Sequence, residues 1–128
     1  MKNLITPAEM YVYRINFDKR ESVLAEQNRG LFLQAANDAA AIIRLIIEKY
    51  SPRRIYQWGS LLNPGAFRDY SDIDIAVEGL PTPTAILSIL RDAGNLTRFS
   101  LDLVELEKID PLHAESIRRK GRLVYEQA

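Results

Sequence analysis

Apolar residues recur at two different periods along the chain, and the change of period divides it into helices and strands. From Phe32 the positions Phe32, Ala36, Ala39, Ile43, Ile46 and Tyr50 follow one another at steps of four and three, with Gln34, Asn37, Asp38, Ala41, Arg44 and Glu48 on the other side. That spacing predicts an amphipathic helix packed on a sheet and ended near Ser51-Pro52. Upstream, Thr6-Pro7-Ala8-Glu9 carries a helix-start signature: a threonine cap, proline at the first helical position and glutamate where a capping-box partner belongs. A first helix is therefore expected from Pro7, separated from the second by a break at Asn28-Arg29-Gly30.

After Arg54 the runs shorten. Ile55 to Trp58 reads as a strand entering Gly59-Ser60, Asn63-Pro64-Gly65 marks a loop, and Ile73 to Val77 reads as a second strand stopped by Glu78-Gly79. Thr82-Pro83 predicts the opening of a helix that runs through Ile86, Leu87, Ile89 and Leu90 to Ala93-Gly94. Phe99 to Leu106 alternates as a strand, Asp110-Pro111 opens a last helix through Ile117, and Leu123-Val124-Tyr125 forms a short final strand. This is the order of an α/β (α+β) domain: a small mixed β-sheet with helices packed on it and an added N-terminal helical segment.

With 128 residues, the chain suits one domain, with 1–30 as a helical extension and 31–128 as the core. No run approaches the roughly 18 consecutive apolar residues of a membrane span. Met1 to Ile5 runs into Thr6-Pro7 without the apolar stretch of a signal peptide. Cysteine is absent, which excludes a disulfide framework and thiolate chemistry and fits a cytoplasmic setting. The 17 basic and 17 acidic residues cancel, so strong binding of a long nucleic acid is not expected. A small nucleotide or a protein is the expected substrate.

The candidate chemistry lies where the second strand begins. Alternation along a strand points Asp72 and Asp74 to one side, with Cα atoms about 6.5–7 Å apart, and Ile73 and Ile75 to the other. Two carboxylates so placed can share a divalent ion, and oxygen-only ligands favour Mg²⁺, with Mn²⁺ an alternative. Asp102 stands inside the otherwise apolar run Leu101-Asp102-Leu103-Val104, a costly place for a lone aspartate unless it is paired or bound to metal. It is the candidate third carboxylate and, beside a cation, a candidate general base. Gly59-Ser60 offers a turn where backbone and hydroxyl donors can approach a phosphate. Arg68 in the following loop is a candidate for added positive charge. His113, the only histidine, reads as a surface imidazole, Trp58 as a core or pocket-wall residue, and Tyr70 as a pocket-lining tyrosine. Arg118-Arg119-Lys120 reads as a cationic helix end.

Strand, Gly-Ser, loop, strand with Asp-x-Asp, helix and strand with Asp is an order that single motifs do not produce. Carried by Trp58-Gly59-Ser60, Ser71 to Val77 and Leu101 to Val104, it resembles the nucleotidyltransferase superfamily related to DNA polymerase β. Within that superfamily it resembles the minimal nucleotidyltransferases of prokaryotic two-gene modules, whose partner is a HEPN-domain protein. The resemblance spans about Ile55 to Tyr125. It implies that Gly59 and Ser60 hold the triphosphate of ATP, that Asp72 and Asp74 bind metal, and that Asp102 is the third carboxylate, activating the acceptor hydroxyl. It further implies an antitoxin that transfers AMP from ATP to a tyrosine of a HEPN toxin. The chain departs from the family pattern in having Leu61-Leu62-Asn63 where many members carry arginines, and in a spacer one residue longer before the first aspartate. An antitoxin acting by contact alone, with turnover lost, is the competing reading; retention of three mutually repelling carboxylates favours the enzyme. Transfer to a small molecule such as an aminoglycoside usually calls for an added acceptor-holding domain, for which the chain has no room. A homodimer or a mixed complex with the partner is expected, because the N-terminal segment leaves apolar surface to cover.

Overall fold

The computed structural model describes residues 6–128, so the reading of Met1 to Ile5 lies outside the described residues. Helix α1 runs unbroken from Pro7 to Tyr50. Its start is the capping box expected from Thr6 and Glu9: the Glu9 amide donates to Thr6 Oγ1 at 3.1 Å, and the Thr6 amide to Glu9 Oε2 at 3.0 Å. The expected break at Asn28-Arg29-Gly30 is not there. Gly30 keeps helical geometry, and a single glycine inside a helix costs only about 1 kcal/mol relative to alanine. That is too little to halt a helix capped at one end and packed at the other.

The structure marks the boundary at residue 30 in burial instead. Nearly every residue from Thr6 to Gly30 is exposed, and the buried positions of α1 are Ala35, Ala39, Ile42 and Ile46. This stripe lies beside the one expected: Ala35 and Ile42 face the sheet, while Ala36 and Ile43 are half-buried at its margin. Alanine at 35 and 39 lets the helix approach closely, which the apolar periodicity did not distinguish from alanine at 36. By length and composition α1 is apolar enough to cross a membrane, with an 18-residue window of mean hydropathy 1.4. Its buried residues nevertheless join the sheet core.

The sheet has the order β3-β2-β1-β4, built from β1 (Arg54–Trp58), β2 (Ile73–Glu78), β3 (Leu101–Glu105) and β4 (Arg122–Glu126). β1 is antiparallel to both neighbours and β2 is parallel to β3, so the sheet is mixed, as expected. Two short 3-10 turns, Gly59–Leu62 and Pro64–Ala66, follow β1; α2 (Ala85–Gly94) joins β2 to β3, and α3 (Pro111–Lys120) joins β3 to β4. Thr82-Pro83 forms a turn ahead of α2 rather than its cap, with the Ala85 amide donating to the Thr82 carbonyl at 3.3 Å. Asp110 caps α3 through the Leu112 amide at 2.8 Å.

Strand alternation sorts the core into two layers. Ile55, Ile73, Ile75 and Val77 face α1 and α2, together with Leu61, Phe67 and Ile89. Tyr56 and Ala76 face α3 through Leu106, Ala114 and Ile117. Glu78 shares that second face and is buried there. Arg118 holds it from α3 (Nη2 to Oε2, 2.7 Å) and Arg54 from β1 (Nη1 to Oε1, 2.5 Å). Burial pushes the Glu78 carboxyl up, but these two guanidinium groups outweigh it and hold the group below its usual range. Arg118, expected only as part of a cationic helix end, is thus part of the packing of α3.

Candidate active site

β1 ends where β2 and β3 begin, so one end of the sheet gathers the candidate residues. In register, Trp58 stands opposite Asp74 and Asp74 opposite Asp102, a row across three adjacent strands. Neighbouring strands lie roughly 4.7–4.9 Å apart, and all three side chains belong to the face covered by α3. Asp74 is only 9% exposed, whereas Asp72, one residue before the strand, is exposed at its mouth.

The environment of Asp74 is unfavourable to a charge. Burial first, then the negative charge of Asp102, then that of Asp72, and a hydrogen bond shared with Asp102 push its carboxyl up to about 7. Among the described residues no lysine or arginine forms an ion pair with any of the three aspartates. Nor do three acidic or imidazole side chains close into a ready-made cation cage among those residues. The donor set is all oxygen and lacks a protein countercharge, and burial and like charges make ionisation of Asp74 costly without a cation. These are the properties of ligands suited to a hard divalent cation. Asp74 and Asp102 would hold it, with Asp72 adding the outer carboxylate.

Gly59 fits this site in a way its sequence context did not reveal. Its φ of 76° is left-handed, and a β-carbon there would fall on the Asp74 carboxylate, landing on Oδ2 and 2.9 Å from Cγ. Glycine is therefore required for Asp74 to reach the backbone of the turn, whatever else approaches that backbone. Ser60 follows in the 3-10 turn, whose N-terminus has no side-chain cap. Its first amides are thus available to an anion. Leu61 points into the core at 6% exposure, so the first position after Gly59-Ser60, where the resemblance leads one to expect a basic residue, contributes here to packing.

Phe67 anchors the loop that joins the turn to the aspartates, seated edge-on between Phe32 (6.1 Å) and Phe99 (5.7 Å) and fully buried. Arg68 turns back onto this loop, its Nη1 donating at 2.9 Å to the carbonyls of Gly65 and Phe67, and it faces the root of the N-terminal arm. Tyr70 is highly exposed and borders a cavity of about 250 Å³ with Ser71, Arg98 and Ser100. Arg98 is the basic residue that sequence reasoning passed over. It stands outside every motif, and only the fold brings it to the same cavity as Ser71, with its Nη2 donating to Gln34 Oε1 at 3.2 Å. His113 is exposed, as expected, but its ring meets Trp58 edge-on at 5.6 Å, on the face of the carboxylates. The Trp58 Nε1 is buried without a hydrogen-bond partner.

The comparisons agree with this fold. A family model described as polymerase beta, nucleotidyltransferase, matches residues 41–128. Among solved structures, the chain resembles the toxin–antitoxin MntA–HepT at 20% identity, with a TM-score of 0.55, covering 72% of this chain and 73% of the other. A mutant of that pair with two Asp-to-Glu changes matches at 21% identity and a TM-score of 0.58, covering 70% and 73%. A toxin–antitoxin structure with AMP-PNP matches at 22% identity and a TM-score of 0.55, covering 68% and 73%. No curated protein matches significantly. The N-terminal arm precedes the matched family region, which begins inside α1 and takes in the whole sheet and every candidate site residue. By the extent of that match and the fold it encloses, the chain belongs to the polymerase beta nucleotidyltransferase family.

Proposed function

We propose that this protein is a Mg²⁺-dependent nucleotidyltransferase that moves AMP from ATP to a hydroxyl, the tyrosine of a HEPN-domain toxin, and so acts as an antitoxin in the cytoplasm. The observation that carries this reading is the row Trp58-Asp74-Asp102 beside the Gly59 turn, an acidic cluster without a protein countercharge. Two neighbours support it: one was solved with AMP-PNP, and another carries Asp-to-Glu changes at two aspartates separated by a single residue, the spacing of Asp72 and Asp74.

Gly59 and Ser60 present backbone amides to the triphosphate, and Asp74 and Asp102 hold the cation site, with Asp72 as its outer carboxylate. A bound divalent ion supplies charge neutralisation at the phosphates. Asp102 accepts the acceptor's hydroxyl proton. The freed oxygen bonds to the α-phosphorus, the bond from that phosphorus to the bridging oxygen breaks, and pyrophosphate leaves with its electrons.

Incubation with ATP, Mg²⁺ and a HEPN-domain toxin, sought first in the adjacent gene, tests the assignment. Wild type is expected to add AMP to the toxin, and Asp102→Asn to lose at least about a hundredfold in rate, at the low end of what general-base removal costs. Equal AMP transfer by Asp102→Asn and wild type would remove Asp102 from the chemistry and overturn the proposal.

A further inference from the structure

Two serines, a tyrosine and an arginine meet just outside the carboxylates. Tyr70, Ser71, Arg98 and Ser100 line a cavity of about 250 Å³, with Phe99 and Asp69 also on its wall. Pairing of β2 with β3 fixes its place: Ile73 stands opposite Leu101, and the Ile73 amide donates to the Ser100 carbonyl at 2.8 Å. Ser71 and Ser100 thus stand within two residues of the start of the strands that carry Asp74 and Asp102. Asp72 follows Ser71 directly.

The cavity offers hydrogen-bond donors and an uncompensated positive charge. Arg98 is oriented by neutral partners: its Nη2 donates to Gln34 Oε1 at 3.2 Å, and its guanidinium lies over the Phe99 ring, 5.2 Å from the centroid. Among the described residues no carboxylate forms an ion pair with it, Asp69 on the same wall included. Ser71 Oγ accepts from the Arg68 amide at 2.9 Å, which leaves its own hydrogen to donate elsewhere. An arginine held in this way, with N–H groups to spare beside hydroxyls, suits the paired oxygens of an anion.

Topology selects the anion. In the order β3-β2-β1-β4, the Gly59-Ser60 turn extends from β1 and Arg98 leads into β3, so β2 lies between them. The triphosphate occupies the β1 side, and the hydroxyl that gives its proton to Asp102 approaches from the β3 side. Arg98 and Asp102 are four residues apart, a span of at most about 14 Å. We propose that this cavity is the acceptor subsite, in which Arg98 and Ser71 bind an acidic side chain of the protein acceptor and so determine which hydroxyl reaches Asp102. The inference rests on the transfer reaction proposed above. With 17 basic and 17 acidic residues in the chain, and with Asp69 and Asp72 close by, a single carboxylate suits this place better than a polyanion.

Steady-state transfer from ATP to the HEPN-domain partner proposed above, with ATP and partner varied separately, tests the subsite. Arg98→Ala is expected to raise KM for the partner at least about tenfold, the low end for hydrogen bonds to a charged group, with kcat and KM for ATP within about twofold of wild type. Arg98→Lys should recover part of the loss. Arg98→Glu should be rescued by lysine in place of an acidic residue near the labelled tyrosine of the partner. Circular dichroism checks that each variant folds. An unchanged KM for the partner, a loss confined to kcat, or a raised KM for ATP in its place would overturn the inference. Titration of the partner without ATP separates the two proposals if wild type transfers nothing. Equal affinity of wild type and Arg98→Ala then overturns the subsite as well, whereas affinity lost on Arg98→Ala upholds the contact and overturns the reaction alone.

Discussion

Replacing Asp74 by asparagine should stabilise the metal-free protein at neutral pH while abolishing its activity. The folded Asp74 carboxyl sits at about 7 against an ordinary 3.8, because it is buried beside Asp102 and Asp72. The folded state therefore binds this proton more tightly than the unfolded chain does. Below pH 4 the group is protonated in both states and its contribution is constant. As pH rises from about 4 to 7 the unfolded chain gives up the proton first, and stability falls throughout that window. A shift of about 3 units at about 1.4 kcal/mol each places a ceiling of about 4 kcal/mol on the loss. The asparagine side chain keeps the shape, can donate its amide to the Asp102 carboxylate and does not titrate. Urea unfolding at pH 4, 6 and 8 without divalent ions measures the outcome. Wild type and Asp74→Asn should be close at pH 4 and diverge in favour of the variant by up to about 4 kcal/mol at pH 8. Added Mg²⁺ should stabilise wild type at pH 8 and leave the variant nearly unmoved. A variant less stable than wild type at pH 8, or a difference that does not change with pH, would refute the view that like-charge crowding defines this site.

Gly59→Ala meets both a left-handed φ and the Asp74 carboxylate; a loss of about 1–3 kcal/mol in thermal or urea unfolding is expected, with activity falling further than stability. Phe67→Ala removes a ring buried between Phe32 and Phe99, and calorimetry should register about 3–5 kcal/mol. Glu78→Gln should cost about 1–2 kcal/mol near pH 7, discounted because Arg54 and Arg118 are part-exposed. Because the folded Glu78 carboxyl lies below its ordinary 4.5, that contribution is present above about pH 4.5 and fades as pH falls below it. The gap between wild type and Glu78→Gln should close in denaturation curves at pH 3.

The chain's order of elements was legible because most of its local signals act locally. Thr6 and Glu9 cap α1 and Asp110 caps α3 within three residues of themselves, and the Ile73-Ile75-Val77 alternation is complete in one strand. The continuity of α1 through Gly30 was not legible, since it depends on packing at one end outweighing a glycine in the middle. The aspartates stood out as candidates because carboxylates in or beside apolar strands are anomalous wherever they occur. What only the fold supplies is their company. The register that sets Asp102 beside Asp74 comes from parallel pairing across α2, the need for glycine at 59 comes from a neighbouring strand's side chain, and Arg98 comes to line the cavity beside Tyr70 and Ser71 only through the tertiary fold. Leu61 shows the reverse: read as a missing cation, it is a core residue, and the burial of that position explains its chemistry.

Position-specific labelling of ATP tests the central claim most directly. With Mg²⁺ and the proposed HEPN-domain partner, ATP labelled at the α-phosphate should label that partner, and ATP labelled at the γ-phosphate should release its label as pyrophosphate. Asp74→Asn should do neither. Transfer of the γ-label, or neutralisation of the toxin with no transfer of either label, would contradict the account.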